Sequence, residues 1–173
     1  MSALDRTPAL SIRQPWAWAI CNAGKTIENR AWRSCKYRGP VWIHASLWGG
    51  ANLDRISVDA QDASYEMLAM AKAAKSPRMK GGPVTLRTLY EHRGGIVGRA
   101  RIVAEVRQAP DLRWMKMTEP GIYTSLTDVD RAWWIGGFGL VLADVEPAPF
   151  VKCTGKLGLF QVDAATRLAL GDR

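Results

Sequence analysis

The chain has 173 residues, enough for one domain with a buried core, and its balance of 47% hydrophobic to 23% charged residues is that of a folded protein, not a disordered one. A net charge of +8 and a pI near 9.8 favour polyanionic partners. No apolar run approaches the roughly 18–20 residues of a membrane helix, the start MSALDRTPAL lacks the pattern of a signal peptide, and Cys21, Cys35 and Cys153 suggest neither a disulfide framework nor a zinc cage, so a cytoplasmic protein with free thiols is expected.

Ala9–Ile12 reads as a short strand leading into Arg13-Gln14-Pro15. Pro15 suits the first position of a helix, where a missing N–H removes no bond, and Gly24 suits the left-handed residue that ends one, so WAWAICNA is predicted helical. Thr26–Arg30 and Gly39–Ser46 are predicted strands. In the second, Val41, Ile43 and Ala45 point to the core and Trp42, His44 and Ser46 the other way. Ile56–Lys75, rich in Ala, Met, Glu and Lys, is a predicted helix, and VTLRTLYEH a shorter one. Ile96–Arg107 alternates most clearly, with Ala100, Ile102, Ala104 and Val106 inward and Arg99, Arg101, Glu105 and Arg107 outward. A long polar section, Ala109–Arg131, reads as loop, Phe138–Val145 as a central strand, Leu157–Val162 as the last strand and ATRLAL as a closing helical turn. About six short strands with helices at their edges amount to an α+β, β-rich single domain over 1–173, with a helical insertion at about 51–75.

Charge is unevenly spread. Arg13 to His44 holds six Lys/Arg against one acid, Lys72 to Arg107 nine against two, and Gln108 to Pro149 three against six. Trp16, Trp18, Trp32, Trp42 and Trp48 fall in and just after the first basic segment, and flat rings among cations suit base stacking and phosphate contacts.

Lys25, following a helix-terminating glycine, is expected to be exposed at a loop edge. Glu28 and Arg30 lie two apart on a strand, so they share a face and can pair, either as a surface ion pair or as a reader of base edges. Trp16 and Trp42 are stacking candidates with core packing as the alternative; Trp133 or Trp134 is a further candidate cover for a cleft. His44 reads as a hydrogen-bonded strand residue or a proton shuttle, His92 as loop surface, and Arg99, Arg101 and Arg107 as phosphate contacts. There is no P-loop, no paired Cys/His spacing and no Gly-x-Ser-x-Gly elbow, so no metal and no cofactor are expected.

The runs LSIRQPWAWAICNAGKTIENRAW, YRGPVWIHAS, GGIVGRARI, WWIGGFGLVL and GKLGLF, in that order, resemble the ASCH family, a homology domain of a transcription coactivator with a PUA-like fold. The resemblance implies a small β-barrel with peripheral helices and a cleft lined by the family's Lys-x-x-Glu-x-Arg motif, here Lys25, Glu28 and Arg30. Gln14 and Trp16 match its Gln-Pro-Trp segment, and Arg38, Gly39 and His44 its Arg-Gly…His strand; Ala23 stands where the family usually has glycine. Some similar proteins are amidohydrolases of a modified cytidine that use a Lys–Thr–Glu set, but Glu28 occupies the threonine's place. Others look like ribonucleases, metal-independent or metal-assisted, for which Lys25, Glu28 and His44 would be the catalytic set. The expectation is a nucleic-acid-binding domain, RNA foremost, whose basic, tryptophan-lined cleft uses Gln14, Trp16, Lys25, Glu28, Arg30, Arg38, Trp42, His44, Arg99 and Arg101. Ribonuclease, amidohydrolase and protein-interaction module are the alternatives.

Overall fold

Apolar alternation from Gly95 onward builds the spine of the molecule. In the computed structural model, which describes residues 7–31, 35–48, 56–75, 84–108, 115–117, 127–135 and 137–171, the strands are β1 (Ala9–Ile12), β2 (Ile27–Arg30), β3 (Gly39–Ala45), β4 (Gly95–Gln108), β5 (Met115–Met117), β6 (Phe138–Lys152) and β7 (Leu159–Phe160). The helices are α1 (Trp16–Ala23), α2 (Val58–Ala73), α3 (Leu86–Tyr90), α4 (Asp128–Ala132) and α5 (Ala164–Ala169). The strands form one mixed sheet in the order β2-β6-β4-β3-β1-β7, with β5 added to β4. β1 runs parallel to β3 and the other pairs are antiparallel. The architecture is α+β, and no helix among the described residues is long and apolar enough to cross a membrane.

Two large clusters carry most of the core. Leu10 and Ile12 of β1, Val41 and Ile43 of β3 and Ile102 of β4 pack against Ala17, Ile20 and Cys21 of α1. Beside them Ala60, Met67 and Ala71 form the buried stripe of α2, spaced for one helical face, and close on Leu89, Tyr90 and Trp133. The Tyr90 hydroxyl fixes that contact by donating to the Ala60 carbonyl at 2.7 Å. A third, smaller cluster holds Ala9, Trp42, Ile96, Phe160 and Val162.

Several sequence expectations change. Pro15 precedes α1 instead of opening it, and the Gln14 side chain caps the helix, its Oε1 accepting from the Trp18 N–H at 2.8 Å. β6 runs on to Lys152; the β4–β6 register shifts between Ile96 and Gly98, beside Pro147, which has no N–H for the ladder. Within the section read as loop, β5 and α4 form, while 109–114 and 118–126 lie outside the described residues. Glu105 is fully buried instead of outward and wet, because the Cys35 N–H and Arg107 Nε each donate to its carboxylate at 2.6 Å. Finally, no strand pairing joins β2 to β1 among the described residues, so the expected barrel is an open sheet. β1 pairs with β3 along its length and with β7 at Ala9 and Leu10. Instead Arg30 Nη2 crosses from β2 and donates to the Ser11 carbonyl at 2.9 Å.

Candidate functional site

The seam between β2 and the β1–α1 corner is where the ionic residues gather. Gly24 ends α1 in the left-handed region, φ 72°, and the following Lys25 N–H returns to the Ala19 carbonyl at 3.2 Å. That reversal turns the Lys25 side chain inward, so it is 1% exposed and not at a loop edge as expected. Its Nζ donates to the Ile27 carbonyl, stands 3.6 Å from Glu28 Oε2 and lies 5.7 Å from the centre of the Trp16 ring. Burial pulls the Lys25 pKa below the ordinary lysine value; the Glu28 charge and hydrogen bond oppose this, and the nearby Arg30 charge adds to it.

Glu28 is the bridge. Its other oxygen, Oε1, sits 3.5 Å from Arg30 Nε, so the pair expected from strand spacing forms, but with a buried carboxylate instead of at the surface. Arg30 is the open end of the row, with 27% of its side chain exposed. Trp16, half-buried on the first turn of α1, supplies an aromatic wall.

Ser11 extends the row, and sequence reasoning did not single it out. Its carbonyl holds Arg30, and its hydroxyl lies 3.2 Å from His44 Nδ1. The parallel register sets Ser11 directly beside His44, a neighbour that becomes visible only once β1 is known to pair with β3. His44 Nε2 lies 3.3 Å from the Cys153 carbonyl, which requires the proton on Nε2 and leaves Nδ1 to accept from Ser11. Phe160 meets the ring edge-on at 5.4 Å and Gly155 packs against it, leaving 1% exposed. Burial lowers the His44 pKa, with the Cys153 carbonyl opposing. His44 is therefore a neutral, enclosed strand residue behind Ser11.

The remaining candidates separate from this row. Gln14, 2% exposed, spends its amide on Trp18 and on the His92 carbonyl. Arg38 braces its own turn, Nη1 donating to the Cys35 and Tyr37 carbonyls at 2.6 and 2.8 Å. Trp42, 8% exposed in the third cluster, floors a groove of about 480 Å³ with Arg99 and Arg101. There Arg99 pairs with Glu146 at 2.7 Å and Arg101 with Asp144 at 3.3 Å, so the two cations are locally balanced. Arg107 is held by Glu105. Trp133 is core, and Trp32 lies outside the described residues. Thr26 donates to Asp130 Oδ1 at 2.5 Å, tying α4 to the start of β2. The Asp130 carboxyl is held below its usual range: partial burial would raise it, but hydrogen bonds from Thr26 and Thr127 and the Arg131 charge prevail. Among the described residues no three His, Cys, Asp or Glu side chains gather as metal ligands.

The row has a chemical character of its own: a flat ring against Lys25, a buried carboxylate that accepts, and a partly exposed guanidinium that donates. A search among curated proteins returned no match. The family model described as ASCH domain matches residues 10–140, which take in β1, α1, the Lys25–Arg30 row, β3 and β4. The chain belongs to the ASCH domain family.

Proposed function

We propose that the domain binds single-stranded nucleic acid, RNA foremost, by admitting a base or strand end into the seam beside Trp16, Glu28 and Arg30. One observation carries the reading: Glu28 sets a carboxylate beside the partly exposed guanidinium of Arg30, in an ionic row whose Lys25 lies against the Trp16 ring. A carboxylate accepts from an exocyclic amine, a guanidinium donates to ring acceptors, and an aromatic wall stacks on any base. Lys25 holds Glu28 in place from behind. The net charge of +8 supports attraction of a polyanion.

Binding is preferred to ribonuclease chemistry because the proposed proton acceptor, His44, is enclosed and has both ring nitrogens occupied. The test is fluorescence anisotropy with short single-stranded RNA on the wild type and on Arg30→Ala, each checked for intact melting. Weaker binding by the variant supports the seam. Equal binding by the two, or none by the wild type, overturns it.

A further inference from the structure

Two exposed cations, Arg13 and Lys152, stand at one end of the sheet beside aromatic rings. Arg13 follows β1, Trp48 follows β3, His92 and Arg93 precede β4, and Phe150 and Lys152 end β6. Backbone pairing holds these ends together: Ser46 N–H donates to the Ile12 carbonyl at 2.8 Å, Gly94 N–H to Ala45 at 2.7 Å and Cys153 N–H to Gly94 at 3.1 Å. Phe150 packs over Gly95 so closely that a Cβ there would lie 2.6 Å from its ring.

Rings and cations alternate on this surface. The Arg13 guanidinium lies 5.1 Å from the Trp48 ring centre, and His92 lies on Phe150 with ring centres 5.0 Å apart and planes tilted by 31°. Arg13, His92 and Lys152 are exposed, as is 38% of Phe150. Over residues 11–16, 44–48, 90–95 and 150–156 stand Arg13, Arg93, Lys152 and Lys156 against a single carboxylate, Glu91. In the groove floored by Trp42, by contrast, Arg99 and Arg101 each have a carboxylate partner. An exposed row of cations with interleaved rings suits a flexible polyanion that carries flat bases.

The surface adjoins the seam. The Arg13 carbonyl accepts from the Ala17 N–H at 3.1 Å in the first turn of α1, the turn that carries Trp16, and the Gln14 side chain donates to the His92 carbonyl at 3.0 Å. We propose that this end of the sheet is the track for the strand outside the seam, Arg13 and Lys152 contacting phosphates and the Trp48 and His92–Phe150 rings stacking on bases. The inference rests on the reading of the seam as a base site, and it moves the phosphate contacts away from Arg99 and Arg101.

Salt dependence and ligand length separate the two. Each phosphate contact on a single strand contributes roughly 0.7 to the log–log salt slope. With single-stranded RNA between about 0.05 and 0.2 M salt, Arg13→Gln/Lys152→Gln is expected to bind more weakly with a slope shallower by about 1.4. Its affinity for nucleoside monophosphates, which reach only the seam, should match the wild type. Phe150→Ala should lose about five-fold or more on the strand, the equivalent of one stacked base. The charge-neutral pair Arg99→Gln/Glu146→Gln should leave the slope unchanged. A wild-type slope in Arg13→Gln/Lys152→Gln, with Arg30→Ala still weakened, overturns the track and leaves the seam standing. No binding of any single strand by the wild type overturns both.

Discussion

A lysine ammonium removed from water needs a carboxylate close by, and Lys25 has Glu28 at 3.6 Å. Lys25→Met removes that partner and leaves Glu28 buried with Arg30 as its remaining cation. Urea unfolding should then show a loss of about 3–5 kcal/mol, with much of it restored in Lys25→Met/Glu28→Gln. A single variant as stable as the wild type would mean that the row is not a buried ionic unit. His44 makes a second residue-scale prediction. Its folded pKa lies below 6.5, so the unfolded chain takes up the proton first as pH falls. The stability associated with neutral His44 is present above about 6.5 and is lost as pH falls from there through the lower folded value. Melting temperature should therefore drop between neutral and mildly acid pH, and drop less in His44→Gln; parallel curves would contradict the assignment. Residue spacing alone made the Glu28–Arg30 pair legible, since two positions apart on a strand share a face. The inward turn of Lys25 and the burial of Glu105 were not legible, because each depends on partners distant in sequence or on how a helix cap redirects the chain.

At the scale of elements, close approaches decide the packing of α1 on the sheet. A Cβ at Gly98 would lie 2.5 Å from Cys21 Sγ and 2.8 Å from the Glu146 carbonyl oxygen, a backbone atom that has little room to yield. Gly98→Ala should cost about 1–3 kcal/mol by overpacking, read as a lower denaturation midpoint; an unchanged midpoint would mean that α1 sits farther from β4. The helix α2 was readable from its composition, the inward set of β4 from its alternation, and α1 from the flanking Pro15 and Gly24. The length of β6 was not, because Pro147 and Pro149 interrupt the local strand signal while pairing with β4 carries the strand through. The open edge of β2 was not either, since it follows from which neighbours β1 takes, a matter of topology.

For the whole molecule, the distribution of charge matters more than its sum. The chain carries a net +8, yet Arg99 and Arg101 are offset by Glu146 and Asp144, while among the described residues no carboxylate pairs with Arg13 or Lys152. The sequence identified a basic, tryptophan-rich protein and the Lys25–Glu28–Arg30 motif, but it grouped Arg30, Arg99 and Arg101 into one cleft; folding places Trp42, Arg99 and Arg101 in a groove that the seam residues do not line. The account therefore predicts that a bound strand engages the seam and the adjacent sheet end, with Arg30 as the contact that reads a base. Its most direct test is the affinity of the wild type and Arg30→Ala for short single-stranded RNA, measured side by side at one salt concentration. The account predicts a loss of about ten-fold or more in a variant that melts like the wild type, and equal affinity in the two proteins would contradict it.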